Sequence, residues 1–251
     1  MNRKKTNVLF LAILIVALVL ILPGCISTNY NVKINLDGSG QSKQDLAIDK
    51  SLAGLIESSQ ALAGKKGLEK ELKNAIPNDG KYKKFTKDGK IHHQITFDFE
   101  DVEDLNATNR KLKEISNVPT PVKAKLERLD FLVFATYTFT NKFSAESENT
   151  KNAGAAQAAK AISITYKLTL PGQLTDANTD EIKENTAAWK INPTKGGKIE
   201  ASSQYIRWWL VIVLIIIFLL IIVATLIAFF VAYRRFKAPT SQPESAPQQE
   251  G

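Results

Sequence analysis

Across the middle of the chain, apolar and polar positions alternate in short stretches, the period of half-buried β-strands. Tyr30, Val32, Ile34 and Leu36 alternate with polar neighbours, DGSG makes a turn, and residues 41–48 return, which predicts a β-hairpin. Residues 81–86 and 91–99 flank KDGK as a second hairpin, with Ile91, His93, Ile95, Phe97 and Phe99 on one face. Two strands follow from about Val122; the second, residues 131–143, puts Phe131, Val133, Ala135, Tyr137 and Phe139 on one face. Ile162, Ile164, Tyr166, Leu168 and Leu170 mark another strand, and Trp189 and Ile199 fall in two weaker ones. Helical spacing interrupts this pattern three times. Residues 51–62 follow Asp49 as N-cap and carry Leu52, Leu55, Ile56 and Leu62 on a stripe. Residues 68–76 form a short helix, and residues 100–115 have acidic residues early and basic residues late. VPTPV ends that last helix, and the Ala-rich residues 144–161 read as a loop or frayed helix inserted at the surface. The class is α+β: an antiparallel sheet of about seven or eight strands with helices inserted between pairs.

Two longer apolar runs flank this region. Residues 8–22 follow Arg3, Lys4 and Lys5 and have the length of a signal-peptide core. Residues 208–232 carry no charge, and at 1.5 Å per residue they give about 37 Å of helix, enough to span a hydrocarbon core. Trp208 and Trp209 at one end and Tyr233 at the other suit the two interfaces, and Arg234, Arg235 and Lys237 place the C-terminus in the cytoplasm. The chain therefore divides into a leader (1–24), an extracytoplasmic domain (25–206), a transmembrane helix (207–233) and a Pro/Ser/Gln-rich cytoplasmic tail (234–251) expected to be disordered.

Composition narrows the chemistry. Cys25 is the only cysteine, so no internal disulfide forms, and one thiol does not make a structural zinc site. The formal charge of +8 falls to +5 once Arg3, Lys4 and Lys5 leave with the leader. No dense basic block with interleaved aromatics appears, which argues against a nucleic-acid partner. His92 and His93 are strand neighbours pointing to opposite faces, so they do not chelate one metal as a pair. GSGQSK lacks the Walker spacing, and the acidic cluster of Asp101, Glu103 and Asp104 suits a helix N-terminus. The NAT triplet at Asn106 falls on a helix and reads as a chance sequon. No catalytic constellation, metal site or cofactor site emerges, so an enzyme is not expected.

Leu22, Pro23, Gly24 and Cys25 resemble the lipobox of prokaryotic lipoproteins, in which the cysteine is acylated and becomes the first mature residue. YNVKINLDGSG soon after that cysteine, then a helix, a hairpin and LTLPGQLTDANTDEIKENTAAWKINP before a terminal membrane helix, resembles the LppM-type lipoprotein domain of bacterial envelopes. The most specific piece is the Pro171-Gly172 turn with Asn178, Asn185 and Trp189 downstream. The resemblance implies a helix-grip-like α+β domain, held at the cytoplasmic membrane by acyl chains and the C-terminal helix, that handles lipids or glycolipids. In that reading Phe97, Phe99, Val133, Ala135, Tyr137 and Phe139 wall an apolar cavity closed by the helix of residues 51–62. The competing reading is a non-enzymatic scaffold of the cell envelope whose same faces form a filled core.

Overall fold

The computed structural model describes residues 25–54, 57, 67–116, 120–143, 162–179 and 181–237. The chain divides into two compact units, Met1–Tyr205 and Ile206–Gly251. The leader, the Ala-rich segment, the first two residues of VPTPV, the tail beyond residue 237 and much of the expected 51–62 helix lie outside the described residues. That helix is present at residues 50–54 and 57. Its expected cap forms: the Asp49 carboxylate accepts from Ser51 N at 3.0 Å, and this bond holds its pKa below the usual range.

The strands described in the first unit are β1 (Ile26–Ile34), β2 (Gly40–Asp49), β3 (Lys81–Lys87), β4 (Lys90–Phe99), β5 (Lys125–Asp130), β6 (Phe134–Phe143), β7 (Ile162–Thr169), β8 (Gln173–Ala177), β9 (Glu181–Lys183), β10 (Thr186–Ile191) and β11 (Gly197–Ile206). Helices α1 (Leu68–Ala75) and α2 (Val102–Ser116) lie between strand pairs. The class is α+β, as expected from the alternation. The strands divide between two sheets, ordered β3-β4-β2-β1-β7-β10-β9 and β5-β6-β11-β8. The larger sheet is mixed: β1 pairs antiparallel with β2 but parallel with β7, from Ile26↔Ile162 to Lys33↔Thr169.

Both hairpins read from the sequence are present. In the β3–β4 turn Asp88 and Gly89 have φ of 50° and 74°, the doubly left-handed geometry that a two-residue Asp-Gly turn supplies most readily. One face of the large sheet is polar. The other buries Tyr30, Val32, Ile34, Ile95, Phe97, Phe99, Ile164, Tyr166 and Trp189 in one core with Leu105 and Leu112 of α2 and Phe139 and Phe143 of β6. Aromatic edges link the sheets. The Phe143 ring meets Tyr30 at 5.9 Å and Tyr166 at 5.8 Å, both near T-shaped.

The core also contains polar groups with specific partners. Gln44 Nε2 donates to Asn109 Oδ1 at 2.6 Å, and Asn109 Nδ2 donates to Pro121 O at 2.8 Å, which ties α2 to β2 and to the segment entering β5. Asn106 donates to Ala124 O and accepts from Ala124 N, so one side chain imitates a strand partner. Asn106 is thus buried by the fold, in keeping with its reading as a chance sequon. The Tyr166 hydroxyl and Asn141 amide are near neighbours without completing a hydrogen bond.

His93 is buried, and its Nδ1 lies 2.7 Å from the Tyr82 hydroxyl. Burial and then Glu69 push the Tyr82 pKa up to about 12, so the phenol keeps its proton beside the imidazole. Burial foremost, and Lys84 next, lower the His93 pKa below its ordinary 6.5, while Glu69, Glu57 and Asp45 oppose the shift. As pH falls through about 6.5, the unfolded chain therefore takes up the proton before the folded one. The contribution is complete above that pH and is lost below it, at up to about 1.4 kcal/mol per unit. We expect the melting temperature of the native protein to fall more steeply between pH 7 and pH 5 than that of His93→Gln. Equal slopes in a calorimetric pH series would show that His93 titrates alike in both states.

Candidate functional site

A broad concavity lies at the end of the large sheet that carries the β1–β2 turn. Its volume is about 870 Å³, and it is open to solvent. Lys33, Asn35 and Gln41 come from the two strand ends and their turn, Asp98 and Glu100 from the end of β4, and Asp104, Thr108 and Lys111 from α2. The turn is fixed locally: Asp37 Oδ1 accepts from Ser39 N at 3.0 Å and Ser39 Oγ at 2.6 Å, and Gly38 takes φ of 94°. Those two bonds hold the Asp37 carboxyl below the usual range. At Gly40 a β-carbon would sit 2.1 Å from Lys33 O and 2.4 Å from the Phe99 ring. Only glycine lets that ring lie against the strand end.

On the α2 side, Asp101 caps the helix by accepting from Asp104 N at 2.9 Å, while Asp104 Oδ2 accepts from Glu100 N at 3.4 Å. The acidic cluster seen in the sequence therefore organises a helix start, as expected. Gln41 Nε2 donates to Asp98 Oδ1 at 2.8 Å across the β2–β4 pair. The groove presents more carboxylates than ammonium groups, together with side-chain amides and two hydroxyls. That array offers donors and acceptors to a neutral polar group and repels a polyanion.

The residues proposed as cavity walls lie elsewhere. Phe97 and Phe99 are buried in β4, with Phe99 also bordering the groove. Ala135, Tyr137 and Phe139 are buried on β6 in the smaller sheet. Val133 falls in the turn before β6, which starts at Phe134 and not at residue 131. The two faces thus belong to different sheets. A cavity of about 30 Å³ between the sheet and α2, bordered by Thr28, Tyr30, Gln44, His93 and Thr120, holds the volume of one water. Ligand pockets run to several hundred Å³. The groove was missed because its polar residues come from separate elements and form no motif.

The two histidines point to opposite faces. His92 Nδ1 lies 3.0 Å from Asp45 Oδ2, and its ring stacks on Phe85 at 4.7 Å, while His93 turns inward. No group of three or more His, Cys, Asp or Glu able to hold a metal occurs among the described residues. Cys25 is partly buried at the head of β1, where its carbonyl accepts from Asp49 N at 2.9 Å.

Asn178, Asn185 and Trp189 have structural work. Asn178 Oδ1 accepts from Trp189 Nε1 and from Glu200 N, both at 2.8 Å, and its Nδ2 donates to Lys198 O at 2.8 Å. This one amide joins β10 of the large sheet to β11 of the small one. Asn185 Nδ2 donates to Leu170 O at 3.2 Å, and Gly172, at φ of 82°, lies so close to β11 that a β-carbon would be 2.2 Å from Gln204 O.

In the second unit, residues 208–234 of helix α3 (Trp208–Lys237) are long and apolar enough to cross a membrane. The chain is 25% identical over 192 residues to an uncharacterized protein of Archaeoglobus fulgidus, covering 76% of this chain and 80% of that one. It is also similar to the NMR structure of the folded domain of Mycobacterium tuberculosis LppM, with 12% identity and a TM-score of 0.44 over 74% of this chain and 93% of that one. Residues 28–205, from the second residue after the head of β1 to the end of the first unit, match the LppM domain, and the chain belongs to the LppM domain family.

Proposed function

We propose that this protein is a non-enzymatic envelope lipoprotein, anchored in the cytoplasmic membrane by α3 and by acyl chains on Cys25, whose extracytoplasmic domain handles glycolipids through the end of the large sheet. The observation that carries this reading is the open groove of about 870 Å³, a size suited to a small ligand, lined by amides, carboxylates and two lysines. An enclosed apolar cavity is not required. The groove receives a hydroxyl-rich headgroup, whose hydroxyls donate to Asp98 and Glu100 and accept from Lys33 and Lys111. Acyl chains stay in the bilayer. The excess of carboxylates favours a neutral sugar over a phosphate.

The filled β4 and β6 faces support the scaffold reading equally well, so the discriminating experiment compares two tryptophans. Ala107 lies half-buried on α2 at the groove, and Ala135 lies in the core. Ala107→Trp should weaken glycolipid binding by about tenfold, or 1.4 kcal/mol, with little change in melting temperature. Ala135→Trp should overpack and cost about 1–3 kcal/mol or more of stability. Lipids that copurify with the full-length protein, measured by mass spectrometry, report the first effect, and calorimetry reports the second. Unchanged glycolipid retention in Ala107→Trp, or none in the wild type, would leave the scaffold reading.

Anchoring has a separate test. The intact mass of the membrane-extracted protein should show loss of residues 1–24 and a diacylglyceryl adduct, and Cys25→Ser should lack the adduct. A full-length, unmodified wild-type chain would refute acylation.

A further inference from the structure

The β5–β6 hairpin ends in the sequence RLDFLVF, which carries three strongly exposed apolar side chains: Leu129 at 64%, Phe131 at 48% and Leu132 at 70%. The tip is a built turn. Phe131 N donates to Phe134 O at 2.8 Å, and their rings stack at 4.4 Å. Its base is braced, since Arg128 Nη1 and the Tyr137 hydroxyl both donate to Leu36 O, at 2.9 and 2.8 Å. Leu36, in the β1–β2 turn, is itself exposed, which widens the patch. Both charged groups of the tip neutralise one another: Arg128 Nε lies 2.8 Å from Asp130 Oδ2. A tip that presents apolar side chains and no net charge can enter an apolar medium at low electrostatic cost.

The topology indicates which medium. Parallel pairing of β1 with β7 puts Pro171, just past β7, at the same end as the β1–β2 turn. Ser203 Oγ donates to Pro171 O at 2.9 Å, so the last residues of β11 reach that end, while Glu200 is held further in by Asn178 beside Trp189. Strand β6 runs the opposite way, from Tyr137 at Leu36 inward to Phe143 against Tyr30 and Tyr166. The hairpin tip and the point where the chain leaves the first unit, at Tyr205, therefore share one end of the domain. Only Ile206 and Arg207 separate Tyr205 from Trp208, where the 27-residue apolar span begins.

We propose that the β5–β6 tip inserts into the interfacial layer of the bilayer that α3 crosses, so that Leu129, Phe131 and Leu132 form a second, non-covalent membrane contact. The proposal rests on anchoring by α3 and is independent of acylation and of any groove ligand. Only Arg207 lies between β11 and α3, so anchoring by α3 makes insertion of the tip an intramolecular event for which a weak contact suffices.

The test uses the full chain carrying Cys25→Ser, reconstituted in phosphatidylcholine–phosphatidylglycerol vesicles, with an environment-sensitive fluorophore on Leu132→Cys or, as control, on Asn31→Cys of the polar sheet face. The label at position 132 should be blue-shifted and lose most of its emission when nitroxide-bearing lipids are included, while the label at position 31 should do neither. Vesicles washed at alkaline pH report anchoring separately. A chain that washes out overturns anchoring and the tip contact together, whereas a retained chain with a solvent-like label at position 132 overturns the tip contact alone. A blue-shifted label that lipid nitroxides leave unquenched would show that protein, a second copy included, covers the tip, and would also overturn the proposal.

Discussion

The parallel pairing of β1 with β7 is the constraint on which the rest of this domain depends. It holds eight residue pairs in register at the centre of the large sheet, between strands more than 120 residues apart in sequence. A parallel pair cannot close through a short turn, so the intervening chain must return to the starting end before β7 begins. Helix α2, β5 and β6 lie within that return, and β6 enters it as part of a second sheet. The Tyr30, Phe143 and Tyr166 rings fix the second sheet against the first at the middle of this pair. Asn178 makes the same junction on the far side of β7, through Trp189 and Glu200. The Pro171-Gly172, Asn178, Asn185 and Trp189 positions that carry the family resemblance thus serve architecture.

That architecture gathers unlike features at one end: the groove, the apolar hairpin tip and the exit toward α3. Cys25 stands at the other end of β1, already bonded to Asp49 with no spacer between it and the strand. Nine residues of β1 at roughly 3.3 Å each separate the two ends by about 30 Å.

The hairpins were legible in the sequence because period-2 alternation and an Asp-Gly turn are local signals, and Asp88 and Gly89 adopt the backbone that the turn requires. The pairing of β1 with β7 was not, since strand pattern carries no information about a partner so distant. For the same reason Phe97 on β4 and Phe139 on β6 looked like two walls of one chamber, although their strands belong to different sheets packed on a common core. Val133 continued the alternation by sequence while the chain had already turned. Asn106 stood out only as a chance sequon and Asn109 belongs to no motif; their spacing of three, which puts both on one helix face, was the available signal that they act together. The groove left no trace in the pattern because polar residues at strand ends and in a helix's first turns are ordinary everywhere.

The central claim is that the β1–β2 turn end of the domain meets the lipid. Amide hydrogen exchange of the full chain in lipid nanodiscs, compared with the domain lacking α3, reads that contact directly. The account predicts slower exchange in the nanodisc at residues 35–41, 99–111 and 129–133, with the polar face of the large sheet unchanged. Protection confined to that polar face around Asn29, Asn31 and Lys43, or none at the turn end, would contradict it.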